Sequence, residues 1–434
     1  MIRLHAPIVL PCDPACSVLR DAVVDVDASG RIGYVGPFAS APAAHLPIRA
    51  LPGILMPGMV NIHAHSPMTV LRGMGGDLPL IRWLREIIWP AESLLTPSDI
   101  EAGMLLGSVE MLRNGITTSV EQYFQPEHMV RAVLASGARM LLGPAIVDTP
   151  DYDWRVQLAE VNARIDGDGL RPHERIEIAY GPHSAYTLSP EALTMIAEAA
   201  RSRDALMLLH VAESHGEDAG QRAEYGSVPR LLASIGALGG RVLAAHAVHL
   251  SDEDIEIFAR HDVAVAHCPG SNGKLASGIA RLPELRAAGV RVGLGTDGPA
   301  SNDDLEMWEE MRLAALLARL STMDSAALTA ADVLLLATRD SADAIGRDDI
   351  GALEPGRWAD IVHVDTSSEA FASGLSVPNQ HLLANLVWAS AGRDVRDVWV
   401  GGEQVVADFE PTKVERAKVQ AEAGAVTTRL RAAT

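Results

Sequence analysis

Apolar and polar positions along this chain follow two rhythms. At both ends, short valine-rich runs alternate with polar residues: "AVVDVDASGRIGYVG" and "LPGILMPG" near the start, "ADIVHVD" (359–365) and "VRDVWVGGEQVV" (395–406) near the finish. Alternation of this kind, broken by Asp-Ala-Ser-Gly and Gly-Gly turns, predicts hairpins. The shared texture predicts one small β-sandwich built from both chain ends, residues 1–56 and 349–410. The tail "EPTKVERAKVQAEAGAVTTRLRAAT" predicts a surface helix over 411–434.

Between the ends, over 57–348, apolar runs alternate with helical stretches. Eight strands are predicted at 53–65, 115–122, 139–148, 175–183, 205–213, 241–249, 262–270 and 290–298. "SPEALTMIAEAARSRD" (189–204) is a typical intervening helix, opened by a Ser cap and a Pro in its first turn. Eight βα units predict an α/β fold, a (β/α)8 TIM-like barrel. Its active site would lie at the C-terminal ends of the strands.

Polar residues of one kind stand at those ends. "GILMPGMVNIHAH" ends in His63 and His65, and residues i and i+2 share a strand face. Two such histidines alone suit a hydrogen-bonded core pair as well as a metal. The later strands add His183, then His210 with Glu213, then His246 and His249, then Asp297. Charged and imidazole groups rarely collect at the ends of apolar strands unless paired or ligating. Three histidines and an aspartate suit Zn²⁺ first, with Fe²⁺ and Mn²⁺ also compatible. Such an ion lowers the pKa of a bound water. Glu213, three residues past His210, is placed to move a proton.

Composition narrows the class. The 434 residues carry 48% hydrophobic side chains and a formal charge of −20. That excludes bulk disorder and disfavours nucleic acid or an anionic membrane as partner. Three cysteines, Cys12, Cys16 and Cys268, make no disulfide framework. With no signal-peptide or membrane pattern, a cytoplasmic protein is expected. The oligomeric state stays open, a homo-oligomer included.

The motifs "PGMVNIHAHSPMTVLRG", "GPHSAYTLSPE", "HVAES", "AAHAVHLSDEDI", "AHCPGSNGKLASGIA", "LGTDGPASNDDLEMWEEMRLA" and "LEPGRWADIV" span nearly the whole chain. In that order they resemble the amidohydrolase superfamily, in its 5′-methylthioadenosine/S-adenosylhomocysteine deaminase-like branch. That branch borders the triazine hydrolases and guanine deaminases. The resemblance implies His63, His65, His210 and Asp297 as ligands of one divalent ion. It implies His246 beside the activated water, Asp297 as acceptor of its proton, and Glu213 as donor to the ring nitrogen. It further implies His183 on the purine ring, and Trp83 and Glu92, in "IRWLREIIWPAE", on a ribose. Binuclear members carry a carboxylated lysine on the fourth strand. The first lysine here is Lys274, so one ion is expected. Arg72 is read as a brace for the loop after the first barrel strand, and Lys274 for the loop after the seventh.

Members acting on S-adenosylhomocysteine hold its carboxylate with arginines. One of these positions falls on Gly143-Pro144 here, and Arg155 is the remaining candidate. The implied substrate is a small aminopurine nucleoside: adenosine, 5′-methylthioadenosine, S-adenosylhomocysteine or a close relative. It would be deaminated to the inosine-type product and ammonia. Another heteroaromatic ring (guanine, a pterin, an s-triazine) stays open as the alternative. A non-catalytic relative is disfavoured, because no ligand is lost.

Overall fold

The computed structural model describes residues 1–43, 45–75 and 77–433. Ala44, Gly76 and Thr434, which fall within the expected sandwich, barrel and tail helix, lie outside the described residues. Five strands open the chain: β1 (Ile2–Val9), β2 (Leu19–Val26), β3 (Ile32–Pro37), β4 (Ile48–Ala50) and β5 (Ile54–Pro57). Nine follow: β6 (Met59–Ala64), β7 (Ile116–Tyr123), β8 (Arg139–Ile146), β9 (Ile176–Ile178), β10 (Gly181–Pro182), β11 (Met207–Val211), β12 (Val242–His246), β13 (Ala264–His267) and β14 (Val292–Leu294). Four close it: β15 (Ile361–Val364), β16 (Val395–Val400), β17 (Glu403–Ala407) and β18 (Glu410–Pro411).

The middle strands pair in parallel with helices between them, an α/β TIM-barrel-like architecture. One sheet runs β10-β8-β7-β6 with β9 also on β8, and the other runs β11-β12-β13-β14. Backbone hydrogen bonds span both gaps. Leu208 N donates to Tyr180 O at 2.9 Å, and Asp297 N donates to His63 O at 2.9 Å. Side chains alternate across these strands as the pleat demands. Val60, Ile62, Val120, Leu141, Leu208, Leu243 and Ala266 pack with one another. Their neighbours Met140, Leu142, Met207, Leu209, Ala244 and Val265 join the helix-facing core instead.

Two predicted strands are each interrupted. The run at 53–65 divides at Gly58 into β5, in the end sheet, and β6, in the parallel sheet. The run at 175–183 divides into β9 and β10. Gly181 lies so close to β8 that a Cβ there would meet Gly143 O at 2.6 Å.

Both chain ends contribute to one hydrogen-bonded path, β18-β17-β16-β15-β5-β1-β2-β3, with β4 beside β1. The expected sandwich thus takes the form of a single nine-stranded sheet rather than two separately bonded ones. Leu4, Val24, Ile32, Leu55, Ile361 and Trp399, from both ends, share a core. Buried Arg139, the first residue of β8, donates to both oxygens of Asp360, ahead of β15, at 3.1 Å each. The tail helix, Arg416–Ala433, is not wholly at the surface. Val419, Ala423, Val426 and Leu430, at helical spacing, are buried. Thr427 donates to Val70 O at 2.9 Å, fixing the helix to the loop that follows β6. Among the described residues no helix is long and apolar enough to cross a membrane.

Candidate metal centre and catalytic site

The strand ends converge. One ligand atom from each of His63, His65, His210 and Asp297 lies within 4.8 Å of the others. Local backbone irregularity brings them there. The pairing of β6 with β7 shifts register twice, between Met59 and Val60 and between Asn61 and Ala64. A shift of that kind re-aims side chains, and His63 and His65 meet edge-on at 4.8 Å. His210 continues the inward series of Leu206 and Leu208 along β11. His246 would point away from the inward Leu243 and Ala245, but its φ of +69° turns it. Asp297 has φ +59°, and Ala212 and Ala247 are left-handed as well. Non-glycine residues held in that region concentrate where function requires it.

The donor chemistry fits a cation. His65 Nδ1 donates to Gln122 O at 2.7 Å, and His210 Nδ1 donates to His183 O at 2.9 Å. Carbonyls therefore hold both Nδ1 protons, and both Nε2 lone pairs face inward, 3.2 Å apart. Both ring nitrogens of His63 are buried without a hydrogen-bond partner. Asp297 Oδ1 approaches His63 Nε2 at 3.4 Å and His65 Nε2 at 3.1 Å. Its other oxygen, Oδ2, accepts from Ser271 Oγ at 2.6 Å and Ser301 Oγ at 2.7 Å. Only Oδ1 is left for an ion. These four side chains form a metal-binding cluster.

Titration follows the same geometry. Burial pushes His63 down to about 4 and His210 well below the usual imidazole range. Burial opposes a charge on His65 too, but the Asp297 carboxylate and the Gln122 carbonyl outweigh it, and His65 rises to about 9. Burial alone would raise Asp297, yet the His63 and His65 imidazoles beside its carboxylate hold it well below the usual carboxylate range.

Glu213 is buried, and its pKa is raised by that burial. Its Oε2 lies 3.9 Å from His246 Nε2. Glu217 accepts the Glu213 amide proton at 3.0 Å, and burial followed by the charge of Glu213 brings Glu217 up to about 7. His183 stands 4.7 Å from His210, ring centre to ring centre. Tyr123 donates to Glu92 Oε1 at 2.6 Å, tying the segment at 80–92, which contains the π turn Leu84–Ile88, to the end of β7. Arg72 pairs with Glu110 at 2.5 Å, and Glu110 also accepts from Leu305 N. Lys274 pairs with Asp303 at 2.7 Å, and His249 bonds Ser277 O at 2.8 Å.

Not every expected residue joins the cluster. Trp83 belongs to the apolar core, with its indole N–H on Met74 O at 3.3 Å. Arg155 is half exposed and paired with Glu191 at 3.0 Å, because it opens a helix whose neighbour presents that carboxylate. A side chain at 143 would meet Leu208 at 2.6 Å, within the strand interior rather than at its mouth. Sequence reasoning missed Ser271, Ser301, Asn272, Glu217 and Tyr123. Ser271, Asn272 and Ser301 lie inside quoted motifs, Glu217 just past one and Tyr123 just after a predicted strand, and Ser271, Asn272 and Tyr123 take their roles from partners far along the chain.

Residues 54–405 match the amidohydrolase family. Similar proteins include a 5-methylthioadenosine/S-adenosylhomocysteine deaminase of Pelotomaculum thermopropionicum, 40% identical over 97% of both chains. A 5′-deoxyadenosine deaminase of Methanosarcina mazei is 38% identical over 96% of this chain and 95% of its own. A zinc-bound crystal structure of an adenosine deaminase from Xanthomonas campestris superposes with a TM-score of 0.91 at 36% identity, covering 99% and 98% of the two chains. The chain belongs to the amidohydrolase family and is a hydrolase acting on carbon–nitrogen bonds.

Proposed function

We propose that this chain is a metal-dependent deaminase of adenine nucleosides. The observation that carries the reading is the buried set His63, His65, His210 and Asp297 with Glu213 and His246 beside it. The relatives named above, a 5-methylthioadenosine/S-adenosylhomocysteine deaminase and a 5′-deoxyadenosine deaminase, support it. Two parallel sheets closed into one eight-stranded barrel over 57–348 would frame the site. The sheet of 1–56 and 349–410 would back it as a sandwich-like second domain, with the 411–434 helix outside.

His63, His65, His210 and Asp297 would hold one divalent ion, Zn²⁺ by preference, and such an ion would supply the lowered pKa of the attacking water. The remaining work belongs to the chain. Asp297 accepts a proton from the attacking water as the water oxygen bonds to the amino-bearing ring carbon. His246 lies beside the attacking water. Glu213, whose buried carboxyl favours its protonated form, delivers a proton to the adjoining ring nitrogen. The C–N bond then breaks, the leaving amine takes a proton, and the products are the oxo-purine and ammonia. His183 borders the base, and Glu92, held by Tyr123, binds ribose hydroxyls.

Position 143 faces the strand interior and Arg155 is engaged with Glu191. An uncharged 5′ end therefore suits the site better than the amino-acid tail of S-adenosylhomocysteine. The test is ammonia release from the zinc-loaded protein on adenosine, 5′-deoxyadenosine, 5′-methylthioadenosine, S-adenosylhomocysteine, guanine, a pterin and an aminotriazine. Turnover of the adenine nucleosides, with S-adenosylhomocysteine last, is expected. Turnover of a free base alone would overturn the reading and remove Glu92 from ribose.

A further inference from the structure

His246 is fully buried, and its two ring nitrogens have different surroundings. Nδ1 donates to Asn272 Oδ1 at 2.9 Å, whereas Nε2 has no hydrogen-bond partner and faces Glu213. Asn272 is 2% exposed, and its own amide nitrogen is also without a partner. It rides on the short helical segment Pro269–Lys274 after β13, which is pinned at several points. Gly270 N donates to Glu310 at 3.0 Å, Ser271 Oγ to Asp297 at 2.6 Å, and Lys274 Nζ to Ala300 O at 3.1 Å. The acceptor that meets His246 is therefore held on a fixed support.

A neutral imidazole has one N–H and one lone pair, and the partner of one nitrogen decides what the other presents. We propose that Asn272 is a positioning residue for the reaction. By accepting Nδ1–H it holds His246 in the tautomer whose bare Nε2 faces the site. His246 then meets the attacking water as a hydrogen-bond acceptor, within reach of Glu213. The proposal rests on the reading that His246 acts in deamination, and it adds which nitrogen acts and what fixes it.

The test compares His246→Ala, Asn272→Leu, Asn272→Asp and the double variant Asn272→Leu/His246→Ala in the zinc-loaded protein. Turnover of the best adenine nucleoside, zinc content and the ¹⁵N shifts of the His246 ring are measured. Asn272→Leu is expected to lower kcat by about 10–100-fold, with KM and zinc content nearly unchanged. Asn272→Asp replaces the amide with a carboxylate but keeps an oxygen to accept Nδ1–H, so it recovers most of the loss. In the His246→Ala background, Asn272→Leu costs nothing further. The ¹⁵N shifts place the proton on Nδ1 of the parent, a result independent of how any variant folds. Parental turnover in Asn272→Leu, equal damage in Asn272→Asp, or a proton on Nε2 would each overturn the proposal. If His246→Ala itself turns over like the parent, the underlying role of His246 fails instead.

Discussion

Glu213 and His210 stand three residues apart on one strand end, yet they answer different tests. Glu213 touches none of the ligand nitrogens and has only a proton to give, whereas His210 Nε2 faces His65 Nε2 at 3.2 Å. Glu213→Gln is expected to keep its zinc and lose about 10²–10⁴-fold in turnover. Metal analysis beside an ammonia assay checks this, and near-parental rates would remove Glu213 from proton delivery. His210→Ala removes an inward lone pair and is expected to lose both zinc and turnover. A variant that purifies fully metallated and active would exclude His210 as a ligand.

At the scale of elements, the site depends on strand ends that break their own pattern. The register shifts of β6 and the left-handed φ values after β11, at the end of β12 and past β14 convert a regular barrel face into a convergent set. Such conformations persist only when the surroundings over-determine them. Part of that restraint comes from Glu110, which joins the loops after β6 and β14, and part from the tail helix on Val70. The link between the end sheet and β8 is the fully buried Arg139–Asp360 pair. Removing one partner of a buried pair leaves an uncompensated charge. Asp360→Ala is therefore expected to cost about 3–5 kcal/mol, read as a fall in the denaturation midpoint. A loss well under that would mean that Arg139 finds enough help from Glu174 O and the Trp358 face.

For the whole molecule, stability carries a pH dependence that starts far from the surface. Burial pushes Glu310 up to about 8, although Gly270 N and the Asn302 amide donate to it. The native state holds a proton that the unfolded chain releases above the ordinary carboxyl range. The unfolded chain binds fewer protons between those limits, so stability falls as pH rises towards 8. Glu310→Gln keeps a neutral side chain at every pH. Thermal unfolding from pH 5 to 9 is expected to decline less steeply for the variant than for the parent. Parallel curves would show that Glu310 is ionised in the native state throughout.

The sequence by itself determined the periodicity, the eight strand-and-helix units and the residues standing at strand ends. Alternation and 3.6-residue spacing are local, and histidines after apolar runs can be read one segment at a time. Six of its implied site residues, His63, His65, His210, Asp297, Glu213 and His246, come together in space. Trp83 packs in the apolar core and Arg155 pairs with Glu191, surroundings that no local pattern along the chain reveals. Tertiary structure decided the rest. It joined the two chain ends in one sheet, rotated His246 inward through a positive φ, and set Asn272, Ser271 and Ser301 behind His246 and Asp297. Those contacts join residues mostly far apart in sequence. Their distances are set by how whole strands pack, and no local pattern encodes them.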